Sequence, residues 1–384
     1  MEEKQKVIVY IDGFNFYYGL KTSPWKKYYW IDVVKLMESF MRPDQELVAV
    51  KYFSARPTDT GKRKRQDAFF QANKENPKFQ LILGKYLRKT IECFRCHNVI
   101  RTYEEKESDV RIATQIVADA FKHNCDIAII VSADSDMIPA VELAKETQTK
   151  VFVYFPPNHY SSNLAVMGNG TPIQMQRYEA RFKKALLPDE IVLANGFHLS
   201  MPEKWKENRQ AEKKAERIQQ LQLIMESLKQ NGFEGFKPIG ELKNNQKDIP
   251  EEQGVYVVLY SQPQEPSFLE KGTGGFFKEN NPNVEISELK ANWVNGEGIV
   301  YIGKAGGGNS KATLQSRLAQ YLKFGMGRKI GHWGGRYIWQ LANADSLIVC
   351  WKTTMENPRD VEADMIAKFK AEHDGKRPFA NLSD

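Results

Sequence analysis

The segment KVIVYIDGFN, residues 6–15, decides the reading of the first half of the chain. Its apolar, β-branched run reads as a strand that stops at Asp12 and turns at Gly13. The same signature recurs at Leu47–Ser54, Phe79–Gly84, Asp126–Ser132 and Lys150–Phe155. Helical periodicity fills the intervals, most clearly at Val110–Phe121 and Ile138–Glu146. Strands alternating with helices predict an α/β unit with a mostly parallel sheet over residues 1–197.

Asp12 follows directly on the first strand, and Asp134 and Asp136 follow directly on another, in IIVSADSDM. In a parallel α/β sheet both strand ends lie on the carboxyl side, where ligands bind. Asp109 heads the stripe Ile112, Ala113, Ile116 and Ala120, so helical geometry points it toward the sheet rather than water. Carboxylates crowded in this way repel one another unless a cation sits among them. An oxygen-only ligand set of this kind suits Mg²⁺ or Mn²⁺. Such a metal orients a water and stabilises charge on a phosphodiester during cleavage. Taken singly, each aspartate has a plainer explanation. Asp109 suits the first turn of a helix, Asp136 a helix cap, and Asp12-Gly13 an ordinary turn.

YIDGFNFYY, SDVRIATQIVADA and IAIIVSADSDMIPAVELAKETQTKVFVYFPP together resemble the NYN family of PIN-like nucleases, across most of residues 5–195. The resemblance implies a Rossmann-like fold and a metal-dependent, mostly RNA-directed nuclease. It places Asp12, Asp109, Asp134 and Asp136 as metal ligands, with Asn15 and Ser132 orienting the site. A haloacid-type phosphatase also begins strand-Asp, but it needs a second aspartate two residues on, where this chain has Phe14.

Between these motifs, Cys93-Phe-Arg-Cys96-His97 lies in a segment that reads as a hairpin. One CxxC with one histidine is only part of a zinc ligand set, and two reduced thiols are the simpler reading. The basic run Lys62–Arg65 and the group Lys85, Arg88 and Lys89 offer a nucleic-acid track or a solvated face. Residues 198–249 shift to a charge-rich helical linker with Ile218, Leu221, Met225 and Leu228 at stripe spacing. That stripe either docks within the chain or pairs two copies as a homodimer.

A second globular unit is expected over residues 250–384. Its strands are Gly254–Tyr260, Ile299–Ile302 and Ser346–Trp351, and its helices Thr313–Phe324 and Val361–Glu372. The loop IVYIGKAGGGNS, residues 299–310, looks like a phosphate cradle, but Lys304 precedes the glycines and Asn309 follows them, so the P-loop pattern fails. Arg317 and Tyr321 are four apart on one helix. Glu362 sits within the stripe Met365, Ile366 and Phe369, a costly place for a carboxylate without a partner or metal. Gly254-Val-Tyr256, Tyr301-Ile-Gly-Lys-Ala305, Arg317, Tyr321, Glu362 and Asn381 resemble the GIY-YIG nucleases, most closely the excision-repair branch. The resemblance implies a small α/β domain with one divalent metal that hydrolyses phosphodiesters, usually in DNA. It makes Glu362 the metal ligand, Arg317 the phosphate-charge stabiliser, and Tyr256 and Tyr301 the motif tyrosines, Tyr301 activating the water. Lys304 and Tyr321 assist at the phosphate, and Asn381 supports the metal. Residues 261–298, rich in Gly, Pro and Asn, separate the two tyrosines as an inserted loop. His332 is expected to be structural.

The 384 residues are enough for two domains, and 41% apolar content supports real cores. A net charge of +7 suits a polyanionic partner such as RNA or DNA. No apolar run is long enough to cross a membrane, and the amino terminus lacks a signal-peptide pattern. Four scattered cysteines give no disulfide framework, so a reducing cytoplasm is the simplest compartment. The expected function is a two-domain, metal-dependent nuclease, the NYN domain cutting RNA and the GIY-YIG domain cutting DNA or structured nucleic acid. The alternative is a nucleic-acid-binding or regulatory protein with one catalytic domain.

Overall fold

A computed structural model describes residues 3–22, 24–92, 94–97 and 99–382. The chain divides into two compact units, Met1–Glu212 and Lys213–Asp384.

In the first unit, β1 (Gln5–Asp12) runs straight into α1 (Gly13–Leu20), followed by α2 (Val33–Glu38), β2 (Gln45–Ser54), α3 (Thr60–Lys74) and β3 (Phe79–Leu83). An antiparallel hairpin, β4 (Lys85–Glu92) and β5 (Val99–Lys106), leads to α4 (Ser108–Phe121), β6 (Ile127–Val131), α5 (Ile138–Glu146) and β7 (Lys150–Phe155). Then come α6 (Ser162–Ala165), β8 (Ile173–Gln174), α7 (Glu179–Lys184) and a small ribbon of β9 (Glu190–Val192) and β10 (His198–Ser200). The main sheet has the order β3-β2-β1-β6-β7-β8, and every neighbouring pair is parallel. β1 is central and buried on both faces. Val7, Val9 and Ile11 join one core, Ile8 and Tyr10 the other. That explains its unbroken apolar run.

One polar group crosses this apolar interior. Asp119 on α4, 3% exposed, accepts hydrogen bonds from the Tyr10 hydroxyl at 2.7 Å and the Asn124 amide at 2.9 Å, and pairs with Lys51 of β2 at 2.5 Å. Burial alone would raise its carboxyl pKa, but the bonds from Lys51, Asn124 and Tyr10 outweigh it and hold it below the usual range.

The helix α8 (Glu203–Gln230) passes from the first unit's residues into the second's. Beyond it lie β11 (Glu234–Pro238), α9 (Ile239–Asn244), β12 (Gly254–Leu259), α10 (Ile286–Asn292), β13 (Ile299–Ala305), α11 (Leu314–Gly325), β14 (Ile348–Thr353) and α12 (Pro358–Glu372). The sheet order is β11-β14-β12-β13, all antiparallel. The stretch expected to be a helical linker therefore also supplies an edge strand and a short helix to this unit. Leu228, Leu221, Ile224 and Met225 of α8 pack with Val255, Val257 and Leu259, so most of the expected stripe is consumed within the chain. Ile218 stays 43% exposed and Ile224 takes its place. Residues 261–298 contain α10 and are anchored by Gln340, whose side-chain amide bonds the backbone of Leu269 and Val284.

Tyr256 on β12 stands directly opposite Gly303 on β13. A Cβ at Gly303 would lie 2.4 Å from Cζ of Tyr256, so the glycine lets the ring cross the neighbouring strand. A Cβ at Gly254 would likewise lie 2.1 Å from the Lys352 carbonyl oxygen.

Asp119→Ala is expected to destabilise the first unit by roughly 3–5 kcal/mol in urea unfolding, because Lys51 is left buried without its counter-charge. Since the folded pKa of Asp119 is depressed, its contribution is present above the unfolded value of about 3.9 and lost as pH falls through the folded value. The wild-type-to-variant gap should shrink in acid. Gly303→Ala is expected to lower the second unit's stability by about 1–3 kcal/mol, measured the same way.

Candidate functional sites

Asp12 ends β1, is 5% exposed, and caps α1. Its Oδ1 accepts from the backbone N–H groups of Phe14 and Asn15, each at 3.0 Å. Its Oδ2 accepts from Asn15 Nδ2 at 2.9 Å and from the Ser132 hydroxyl at 3.0 Å. Burial pushes the carboxyl pKa up, and the bonds from Asn15, Ser132 and Phe14 oppose that rise. Gly13 is required here, because a Cβ would meet the Phe53 carbonyl oxygen at 2.4 Å.

Ser132 lies just past β6 and works in two directions: it donates to Asp12 and accepts the Asp134 N–H at 3.1 Å. Asp134 in turn accepts the Asp136 N–H at 2.9 Å, capping the turn that opens α5. Asp109 is in the first turn of α4 and is exposed, not buried against the sheet as its place on the stripe suggested. The stripe proper begins at Ile112, one turn later. Even so, Asp109 feels the group. Partial burial raises its pKa first, then the charges of Asp12, Asp134 and Asp136, with no cationic side chain among the influences. All four carboxylates thus converge electrostatically at the carboxyl ends of β1 and β6. Among the described residues no three acidic, imidazole or thiol groups already close into a metal cage. The donor chemistry nevertheless fits a hard divalent cation: oxygen only, with mutual repulsion that a cation would relieve.

Sequence reasoning passed over His159. Its Nδ1 lies 2.8 Å from Asn15 Oδ1, which also accepts the Ala133 N–H at 3.3 Å. The Asn15 amide nitrogen faces Asp12, so its oxygen faces His159, and Nδ1 must carry the proton. The only sequence signal was a lone histidine after FPPN, too weak to single out. In the β4–β5 hairpin, Cys93 and the side chain of Arg88 lie outside the described residues. Cys96 is an exposed free thiol, and Lys85 pairs with Glu107 at 3.2 Å.

In the second unit Tyr256, Tyr301 and Tyr321 form a buried cluster with ring centroids 5.8–6.3 Å apart. Burial pushes the Tyr301 hydroxyl up to about 12, so it is protonated at neutral pH and is no ready base. Tyr321 donates to the Gly335 carbonyl at 3.2 Å. Arg317 is near enough to lower the pKa of Tyr256 and Tyr301 against the stronger rise from burial. Burial and then Arg317 hold His332, whose ring lies 4.8 Å from that of Tyr321 and tilted 41° to it, down to about 3. His332 is 1% exposed with neither ring nitrogen partnered among the described residues.

Glu362 on α12 is hydrogen-bonded and ion-paired to Lys304 of β13. Asn381 spends both ends of its amide on Ile302, accepting its N–H at 2.9 Å and donating to its carbonyl at 2.8 Å. Its role is therefore to tie β13 in place. In this arrangement the Glu362 carboxylate is paired with Lys304 and both ends of the Asn381 amide are engaged by Ile302. Gly306, Gly307 and Gly308 all have positive φ and form the turn after β13.

Among the described residues no helix is long and apolar enough to cross a membrane. Comparison with known proteins matches residues 6–167 to the NYN domain family. A curated relative, the 6-hydroxy-3-succinoylpyridine 3-monooxygenase of Pseudomonas putida (strain DSM 28022 / S16), is 27% identical over 40% of this chain. The match spans 60% of that relative's length. A solved structure of a protein of unknown function from Vibrio parahaemolyticus RIMD 2210633 is 20% identical, covering 45% of this chain and 94% of that one. Its TM-score of 0.31 carries no argument. The chain carries an NYN domain over residues 6–167.

Proposed function

We propose that the first unit is a metal-dependent ribonuclease, and that the second is a GIY-YIG-type unit acting on DNA or structured nucleic acid. The observation that carries the first half is the electrostatic convergence of Asp12, Asp109, Asp134 and Asp136 at two adjacent strand ends. These carboxylates would hold Mg²⁺ or Mn²⁺, which when bound supplies Lewis-acid polarisation of a phosphoryl oxygen. The chain's own groups position that set. Asn15 and Ser132 aim both oxygens of Asp12, and His159 holds the Asn15 amide in the orientation that does so. The Pseudomonas relative is named a monooxygenase; four convergent carboxylates favour hydrolysis of a phosphodiester here instead.

For the second unit, Gly254-Val-Tyr256 and Tyr301-Ile-Gly303 on paired strands support the GIY-YIG reading, with Arg317 and Lys304 as phosphate-binding cations. Three observations favour a second reading in which this unit binds nucleic acid without cutting it. Lys304 pairs with Glu362, burial makes the Tyr301 hydroxyl harder to ionise than a free phenol, and Asn381 is committed to Ile302.

Labelled single-stranded RNA and double-stranded DNA, incubated with Mn²⁺, separate these readings. RNA cleavage should be lost in Asp134→Asn, and should fall roughly 10-fold in His159→Ala, the usual cost of losing a group behind a ligand. DNA cleavage lost only in Glu362→Gln supports a second nuclease. DNA bound but uncut by wild type makes the second unit a binder, and no cleavage of RNA sinks the first assignment.

Stability supplies an independent check. A carboxyl raised in the fold contributes stability that is fully present below its unfolded value, about 3.9, and lost as pH rises through the folded value. Asp109→Asn should therefore melt higher than wild type at pH 7 in chelator, with the gap closing below about pH 4. Mn²⁺ should raise the wild-type Tm more than the variant's. Equal responses would mean that Asp109 is not a ligand.

A further inference from the structure

Beside the carboxylates lies a pocket that the hydrolytic reading does not use. It has a volume of about 210 Å³ and lies wholly within the first unit. Its floor is buried and aromatic: Tyr52, Phe69 and Phe70 are 3–7% exposed. Phe14, Tyr17 and Tyr18 line it from α1, directly after Asp12, and Tyr86 lines it from β4. Tyr17 stacks one face on Tyr29 and meets Tyr18 edge-on, and the Lys21 ammonium lies over Tyr18, yet the two tyrosines keep 38% and 48% of their surface exposed on the remaining side. Lys21, Lys62 and Arg65 also line the pocket, and neither Lys62 nor Arg65 makes an ion pair among the described residues. Aromatic faces with unpaired cations beside them match a planar base joined to phosphate.

Two further observations tie the pocket to a ligand near the carboxylates. The Gln66 side chain, also in the lining, donates to the Ser54 hydroxyl and the Ala55 carbonyl, both at 3.1 Å. That leaves its Oε1 buried, with no partner among the described residues. A buried acceptor left unpaired is costly, and an imino or amino N–H on a base edge would satisfy it. The Tyr52 hydroxyl on the floor donates to the carbonyl of Gly13, the residue directly after Asp12, at 3.5 Å, so the floor adjoins the candidate carboxylate.

We propose that this pocket receives an unpaired nucleobase of the strand to be cut, stacked on Tyr17 and Tyr18, with Lys62 and Arg65 on the adjoining phosphates. The proposal rests on the nuclease reading of the first unit and narrows its substrate to single-stranded nucleic acid. A paired base cannot enter, because its faces and edge are already occupied in the duplex.

The test uses the full chain in chelator, with a fluorescent oligouridine, the same strand in a duplex, and a matched strand carrying consecutive abasic positions. Wild type should bind the single strand at least about 10-fold more tightly than the duplex or the abasic strand. Tyr17→Leu/Tyr18→Leu should remove that preference, and Tyr17→Phe/Tyr18→Phe should restore it; circular dichroism and melting temperature confirm that each variant is folded. Lys62→Ala/Arg65→Ala should weaken both single-strand and abasic binding, flattening the log–log salt slope by about 1.4.

Equal binding of the three wild-type ligands, or an unchanged preference in the folded leucine variant, overturns the pocket assignment even if RNA is cut. A stacking-dependent preference without any cleavage in Mn²⁺ supports the pocket and removes the nuclease reading.

Discussion

The buried carboxylate of Asp12 is the constraint around which the first unit is organised. An ionised group at the carboxyl end of a central strand is expensive to desolvate, and it persists because four hydrogen bonds converge on its two oxygens. Those bonds come from the start of α1 and from Ser132 beyond β6, so satisfying one charge also sets where the helix begins and how the neighbouring strand ends. Ser132 passes the arrangement on to Asp134, and Asp134 to Asp136. Asn15 passes it in the other direction, to His159. Two of the four aspartates, Asp12 and Asp134, cap the turn that follows them, whereas Asp136, expected as a cap, donates its own N–H to Asp134 and Asp109 lies inside the first turn of its helix.

The second unit is organised by close approach rather than by charge. Gly254 and Gly303 sit where a methyl group would collide with the Lys352 carbonyl or the Tyr256 ring. Gly335, at φ +73°, lies so close to Tyr301 that a Cβ would meet the ring at 2.8 Å. These glycines let three tyrosines pack as one buried cluster. The same burial raises their hydroxyl pKa values and keeps His332 neutral.

Much of this was legible in the residues. The strands KVIVYI, DIAIIVS and KVFVYF were readable because an unbroken β-branched run has few other solutions, and the carboxylates at their ends followed from parallel topology. Asp109 was found for partly the wrong reason: its stripe does face the core, but the first helical turn still projects into solvent. Asp119 and His159 went unnoticed because their partners, Lys51 and Asn15, lie 68 and 144 residues away. Asn381 was expected beside a metal. Its actual use, bracketing the backbone of Ile302, depends on the chain's last turn folding back onto β13.

Residue pattern by itself determined the two α/β units and their main strands and helices, and placed carboxylates at the ends of two of those strands. Periodicity and strand ends are local properties, and local physics imposes them wherever the chain lies. Only the tertiary structure decided that Lys304 pairs with Glu362, that burial raises the Tyr301 hydroxyl, and that most of the α8 stripe is spent inside the chain. Pairing, burial and surface coverage are relations between distant segments. Their energies depend on distance and solvent exclusion, which no spacing along the sequence encodes.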